Sequence, residues 1–171
     1  MARNIEIKAR IESVEALLPH AQALADAPAQ RIVQDETVFK CTQGRLTLRD
    51  FGDDLGELVH CERPNSEDAE LSDYVRVPTT ALAELREALA RAWGIRGRLR
   101  KTRLLLFCGQ ACIHLDRIEG LGDFLELEVV LREDQSEQEG VAIANTLMAQ
   151  LGIADAPRLA GAYLDLFGAG P

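Results

Sequence analysis

Asn4-Ile5-Glu6-Ile7-Lys8-Ala9-Arg10 alternates without a break. At a period of two, Asn4, Glu6, Lys8 and Arg10 share one face of a strand, and Ile5, Ile7 and Ala9 share the other. An acid and a base therefore sit on one side. The pattern recurs downstream: Arg45, Thr47 and Arg49 oppose Leu46 and Leu48, and Glu126 and Glu128 oppose Leu125, Leu127 and Val129. A single strand of this kind reads as the wet side of an antiparallel sheet. Repetition with ordered changes of sign supports a second arrangement, a closed or nearly closed sheet with its polar face inward and helices over its apolar outside. Such a lumen suits a highly charged ligand.

The chain has 171 residues and no Pro/Gly/Ser-rich linker, so one domain over residues 1–171 with its own core is expected. Its formal net charge of -9 opposes a nucleic-acid backbone, and neither duplex DNA nor RNA is expected as a partner. The local basic residues must have a more specific task. The sequence enters strand-like residues at once, without an apolar leader or a membrane-length apolar run, so a cytoplasmic location without membrane association is expected. Of Cys41, Cys61, Cys108 and Cys112, only the last pair is close, flanking Gly109-Gln110-Ala111, where a hairpin turn is expected. A Cys-x3-Cys metal half-site stands there against ordinary reduced cysteines, with no second Cys/His pair nearby.

Ser13 reads as the N-cap of a helix through about Ala27, kinked or split by Pro19. Strands are expected at about Arg31 to Cys41, Arg45 to Phe51, Glu57 to Arg63 and Asp73 to Val77, divided by Thr42-Gln43-Gly44, Gly52-Asp53-Asp54 and the polar stretch Pro64 to Leu71. Leu82, Leu85, Leu89 and Trp93 then fall at helical spacing before a stop at Gly94. Strands follow at about Ile95 to Phe107, Ala111 to Ile118 and Phe124 to Leu131. A helix from about Ser136 to Leu151 turns Val141, Ala144, Leu147, Met148 and Leu151 to one side, and a helical turn covers Ala160 to Phe167. Roughly eight strands, mostly meander with inserted helices, give an α+β fold with an antiparallel sheet.

The chemistry is expected on the polar face. Its carboxylate candidates are Glu6, Glu62, Asp116, Glu126 and Glu128, hard oxygen donors suited to Mg²⁺ or Mn²⁺ rather than zinc. Glu126 and Glu128, two apart on one strand, project the same way and repel unless a cation lies between them. The cation candidates are Lys8, Arg45, Arg49, Arg63, Arg76, Lys101 and Arg103. Arginine forks and lysine ammonium groups facing metal-binding carboxylates form the surroundings expected of a metal-complexed polyphosphate. No Gly-x-x-x-x-Gly-Lys phosphate loop is present, so this phosphate site would be built from side chains.

Taken in order, these residues resemble the CYTH superfamily, the triphosphate tunnel metalloenzymes that include class IV adenylyl cyclases, thiamine triphosphatases and inorganic triphosphatases. The opening Asn-Ile-Glu-Ile-Lys-Ala is similar to the family's Glu-x-Glu-x-Lys signature except at its first position. Further matches are Gln34-x-Glu36-Thr37-x-Phe39, Gly44-Arg45-Leu46-x-Leu48-Arg49, Glu62-Arg63-Pro64, Ser72-Asp73-Tyr74, Lys101-x-Arg103, His114-Leu115-Asp116, Glu119-Gly120-Leu121-Gly122, Phe124-Leu125-Glu126-Leu127-Glu128 and Tyr163-Leu164-Asp165-Leu166. No single one is specific, but the ordered set is. The resemblance implies an eight-stranded antiparallel β-barrel, the triphosphate tunnel, with helices packed outside. It implies Glu6, Asp116, Glu126 and Glu128 as metal ligands for Mg²⁺ or Mn²⁺, and Lys8, Arg49, Arg63, Lys101 and Arg103 as ligands of a triphosphate-containing small molecule. Arg45 lies on the right face, although the family's second basic position in that motif falls on Thr47. Lys8 and Glu6 are the catalytic candidates, and a homodimer stands open beside a monomer.

Three departures stand out: Asn4 where the signature has glutamate, Val38 at a position usually tyrosine, and Cys61 at one often aromatic. Some family phosphatases pair a lysine with a tyrosine to activate water, yet no tyrosine lies between Arg31 and Cys41, which leaves the partner of Lys8 unassigned. Tyr163 either closes the tunnel or anchors the last helix. Two reactions suit one cage: hydrolysis at the terminal phosphorus of a triphosphate, or attack of the ribose 3'-hydroxyl of ATP on the α-phosphorus to give cyclic AMP. The chain has no His-Phe-x-Phe-type element of the cyclases, which favours the metal-dependent triphosphatase. A non-catalytic polyphosphate- or nucleotide-binding module is the third alternative.

Overall fold

The alternating stretches pair edge to edge in the structure, a computed structural model that describes residues 2–62 and 70–167. β1 (Ala2–Arg10) leads through α1 (Val14–Leu24) to β2 (Gln30–Phe39), β3 (Arg45–Gly52), β4 (Leu55–Glu62) and β5 (Glu70–Thr79). After α2 (Leu82–Trp93) come β6 (Ile95–Cys108), β7 (Ala111–Ile118), β8 (Gly122–Val130), α3 (Glu137–Gln150) and a 3₁₀ turn at Tyr163–Phe167. The strands close in the order β1-β5-β4-β3-β2-β6-β7-β8, all antiparallel. Closure gives every strand two neighbours, although the β1–β5 ladder covers only the first five residues of β1, Ala2 to Glu6. The fold is the expected α+β arrangement, an eight-stranded antiparallel barrel with helices on its outside.

The larger apolar core therefore lies outside the barrel wall. Ile5, Ile7 and Ala9 of β1, Ile113 and Leu115 of β7, and Leu125, Leu127 and Val129 of β8 are buried beneath Val14, Leu17 and Ala21 of α1 and Ala144, Leu147 and Met148 of α3. Gly140 lets α3 come this close: a Cβ there would stand 2.5 Å from Leu131 and 2.6 Å from Ile5. Ser136 caps α3 in a reciprocal box with Glu139, whose carboxylate accepts from the Ser136 backbone N–H at 2.8 Å. Phe39, Leu46 and Leu48 form a smaller cluster under Leu82 of α2.

Several boundaries differ from the sequence expectation. Pro19 lies inside α1 without dividing it, since the buried face of Val14, Leu17 and Ala21 offsets the missing backbone bond. The helix stops at Leu24 rather than Ala27, because the Asp26 N–H donates to the Phe107 carbonyl at 2.8 Å and draws the chain back to β6. β5 runs through Pro78, which faces Glu57 of β4 beyond the last residue, Tyr74, that pairs with β1. A proline is tolerated where one ladder has already ended. Trp93 shares the spacing of the apolar face but is 55% exposed, as α2 overhangs the small cluster beneath it. Arg63 and most of the stretch Pro64 to Leu71 lie outside the described residues.

Candidate functional site

Inward positions of the barrel follow from the register. Lys8 pairs across to Glu126, which pairs with His114; Glu6 pairs with Glu128, which pairs with Cys112. These three strands make an acidic wall. Across the lumen stand Arg45 and Arg49 of β3, flanked by Lys101 of β6 and by Arg76 of β5, whose Nη2 lies 3.8 Å from Glu128 Oε1, and the space between, about 730 Å³ including its open mouth, is also lined by Glu36, Tyr74 and Tyr163. One end is closed by Leu99, Ile118 and Phe124 packed with Tyr163 from the 3₁₀ turn. Leu164 of the same turn lies where a Cβ on Gly97 would come within 2.7 Å.

Each buried cation has a carboxylate. Lys8 Nζ lies 3.4 Å from Glu126 Oε1 and 4.4 Å above the centre of the Tyr163 ring. Lys101 Nζ lies 3.1 Å from Glu36 Oε1, which also accepts from Arg49 Nε at 2.9 Å. Arg103 grips Asp116 with two bonds of 2.7 Å and reaches Glu126 Oε2 with a third, also 2.7 Å. The Tyr163 hydroxyl donates to Asp116 Oδ2 at 3.2 Å. Asn4 donates its side-chain amide to Glu128 Oε1.

The charges respond to these neighbours. Burial would raise the Glu36 carboxyl, but Lys101, Arg49 and Arg103 together hold it down to about 2. Asp116 and Glu126 are likewise buried, yet Arg103 and Lys101 beside the first, and Lys8 beside the second, keep both below the usual carboxylate range. Glu128 behaves oppositely. Burial, then Glu6 and Glu126, push its carboxyl up to about 7. Burial lowers the Lys101 ammonium, with Arg103 adding to the effect, and raises the Tyr163 hydroxyl, with Asp116 adding to it. Burial and Arg103 bring His114 down to about 4.

A closed antiparallel tunnel with an acidic wall facing a basic one is the arrangement the sequence resemblance implies, and residues 2–163 match the CYTH domain family. The chain belongs to the CYTH family. No curated protein is similar enough in sequence to match it. Among solved structures, the PH1012 protein of Pyrococcus horikoshii OT3 superposes with a TM-score of 0.84 at 20% identity, covering 95% of this chain and 98% of that one. A candidate adenylate cyclase from Vibrio parahaemolyticus gives 0.73 at 18% identity, over 97% of this chain and 98% of that one. HpAC1 of Hippeastrum, a candidate adenylyl cyclase described as having a dominant triphosphatase activity, gives 0.66 at 15% identity, over 99% and 96%. At these identities the likeness is one of fold.

Within this CYTH tunnel, Glu6, Lys8, Arg45, Arg49, Lys101, Glu126 and Glu128 line one cavity together. Arg103 and Asp116 are buried beside it, with both Asp116 oxygens engaged by Arg103. Glu62 is exposed at the end of β4, away from the acidic wall, and Arg63 lies outside the described residues. The Glu6, Glu126 and Glu128 set fits a hard divalent cation, because crowding of like charge, visible in the raised Glu128 carboxyl, is what such an ion relieves. Cys108 and Cys112 do not form a shared half-site: Cys108 packs on the outer core, while Cys112 faces Glu128 across the β7–β8 ladder. Glu36 and His114 had no assigned role in the sequence, and Cys112 had one only as half of the Cys-x3-Cys alternative. For β7 the signal was present, since Cys112, His114 and Asp116 alternate with Ile113 and Leu115.

Proposed function

We propose that this CYTH protein is a metal-dependent phosphohydrolase acting on a linear triphosphate, either inorganic tripolyphosphate or an organic triphosphate such as thiamine triphosphate. The observation that carries the proposal is the division of one lumen into a carboxylate wall, Glu6, Glu126 and Glu128, with Arg76 beside Glu128, and a cation side, Arg45, Arg49 and Lys101. A polyanion fits between them only with a cation of its own at the acidic side. Glu6, Glu126 and Glu128 would hold Mg²⁺ or Mn²⁺, which when bound draws negative charge from the phosphate oxygens.

Arg49 and Lys101, both paired with Glu36, are placed to exchange that carboxylate for phosphate oxygens. Lys8 stands at the boundary of the two walls, where Glu126 and the Tyr163 ring fix it and where a terminal phosphoryl group would meet both. In that position Lys8 donates to the attacked phosphoryl group and offsets its charge. Asp116 serves to hold Arg103 flat against Glu126. Tyr163, with its hydroxyl held protonated and donated to Asp116, closes the lumen to bulk water and is the aromatic partner of Lys8.

The dominant triphosphatase activity described for HpAC1, which shares this fold, points the same way. The test incubates purified protein with Mg²⁺ or Mn²⁺ and, separately, tripolyphosphate, thiamine triphosphate and ATP, then resolves orthophosphate, pyrophosphate and cyclic AMP. Orthophosphate release is expected. Cyclic AMP with pyrophosphate would make the protein a cyclase, and tight binding without product would make it a binding module.

A further inference from the structure

We propose that Cys112, His114 and Glu128 form a second kind of metal site in the tunnel wall, a three-ligand sulfur-nitrogen-oxygen site for a borderline-soft divalent cation, with Zn²⁺ the best fit. One donor atom from each lies within 4.8 Å of the others. Strand register holds them together, since Cys112 and His114 are two apart on the inner face of β7 and Glu128 is the direct cross-strand partner of Cys112. A rigid barrel thus presents the three donors from adjacent positions rather than from mobile loops.

The hydrogen bonding around the trio leaves the donors available. Asn4 occupies Glu128 Oε1, and the other oxygen, Oε2, faces His114 Nε2 at 3.9 Å. That gap is too long for a hydrogen bond and close to what two ligands of one ion require. His114 Nδ1 points toward Glu126 Oε2 at 3.7 Å and, although the residue is only 6% exposed, has no hydrogen-bond partner among the described residues. A ligating imidazole with a carboxylate behind its other nitrogen is the usual support for a bound metal. Cys112 likewise makes no side-chain hydrogen bond among the described residues.

The donor chemistry separates this site from the hard one. A thiolate and an imidazole select zinc-like ions over Mg²⁺, which takes oxygen ligands. Three protein ligands would leave the fourth position of a tetrahedral ion to water or another ligand. Sharing of Glu128 makes the two sites mutually dependent, so Zn²⁺ here withdraws a carboxylate from the acidic wall. The inference stands on the trio itself and holds whichever reaction the tunnel performs.

Cobalt tests it without reference to turnover. Full-length protein, reduced and freed of metal, is titrated with Co²⁺, and the sulfur-to-cobalt charge-transfer absorption is recorded. The band is expected in the unaltered protein, to be displaced by Zn²⁺ but not by excess Mg²⁺, and to persist in Cys61→Ser, whose thiol also lines the lumen. It should vanish in Cys112→Ser and in Cys112→Ala, two variants of which the second removes the polar atom altogether. His114→Gln should weaken Zn²⁺ binding by more than the about 10- to 100-fold typical of losing an outer-shell partner. Absence of the band in the unaltered protein, or its survival in both Cys112 variants, overturns the proposal.

Discussion

Asn4 on β1 donates its amide to Glu128 on β8, a carboxylate of the acidic wall whose ionisation the surroundings oppose. The residue that departs from the family signature thus replaces a repulsion with a hydrogen bond. It also leaves the amide oxygen of a fully buried side chain without a partner among the described residues. Asn4→Asp keeps the size and removes the donor, setting a carboxylate against Glu128. Loss of the bond and burial of a repelled charge should cost the metal-free protein about 1–3 kcal/mol. Melting in EDTA and in saturating Mn²⁺ checks this: Tm should fall in EDTA, and Mn²⁺ should raise it by more than in the unaltered protein. An equal metal-induced rise in both proteins would separate Asn4 from the metal site.

Glu128 also sets a pH dependence. Its folded carboxyl is raised from an ordinary value of 4.5 to about 7, so the folded state holds the proton more tightly than the unfolded state. The contribution is fully present below pH 4.5 and is lost as pH rises through about 7. Glu128→Gln removes the titration while retaining an acceptor for Asn4. Measured in EDTA by urea unfolding, this variant should gain stability relative to the unaltered protein between those pH values, by up to ~3 kcal/mol. A constant difference across the range would mean that Glu128 titrates normally.

On the proposed reading Asp116 is held by Arg103 whereas Glu126 would ligate the ion, and substitution tells the two roles apart. Arg103 and Asp116 are both buried, and removing the Asp116 carboxylate leaves Arg103 with Glu126 alone, a loss approaching that of a broken buried pair, about 3–5 kcal/mol. Asp116→Asn should therefore lower the unfolding free energy by that order, while Mn²⁺ affinity by calorimetry changes less than in Glu126→Gln. The reverse ranking, with stability intact and metal binding lost in Asp116→Asn, would return Asp116 to the ion.

The barrel was legible because a two-residue period survives wherever one face is apolar, as in Ile5, Ile7 and Ala9 or Leu125, Leu127 and Val129. The same contrast brought Glu6, Lys8, Glu126 and Glu128 forward. It fails on β2, where Gln34-Asp35-Glu36-Thr37 is polar on both faces, so Glu36 carried no mark of its place between Arg49 and Lys101. Pairings such as Arg103 with Asp116 depend on the register between β6 and β7, which composition does not encode. Trp93 obeyed the helical spacing, but spacing does not say where the sheet beneath a helix ends. No tyrosine lies beside Lys8 on β2, and the aromatic ring that Lys8 meets is that of Tyr163 in the 3₁₀ turn, far along the chain.

Gly140 is where α3 meets β1 most tightly. A Cβ there would overlap Ile5 Cγ1 at 2.6 Å and Leu131 Cδ2 at 2.5 Å. Gly140→Ala gains helix propensity of about 1 kcal/mol, yet overpacking of a fixed core typically costs about 1–3 kcal/mol. Because Ile5 is fully buried against the barrel wall and cannot retreat, the second effect should win. A lower Tm for Gly140→Ala is expected, and a higher one would show that α3 can shift outward.

On the proposed reading Glu36 competes with the triphosphate for Arg49 and Lys101. It is only 6% exposed and ionised well below neutral pH, and it holds Arg49 Nε at 2.9 Å and Lys101 Nζ at 3.1 Å. Any triphosphate that binds the cation wall must displace it or share its partners. Glu36→Gln keeps the shape and removes the charge, leaving the buried Lys101 and the half-buried Arg49 with less compensation, although Arg49 keeps Glu57 at 3.0 Å. The free protein should then lose about 3–5 kcal/mol, the cost of breaking a buried pair, while tripolyphosphate binds more tightly because its competitor has gone. Calorimetric titration with tripolyphosphate in the presence of Mg²⁺, alongside thermal unfolding with and without it, measures both. The ligand-induced rise in Tm should be larger for Glu36→Gln than for the unaltered protein. Weaker tripolyphosphate binding by a folded Glu36→Gln would instead make Glu36 a group that positions Arg49 and Lys101 for the phosphates.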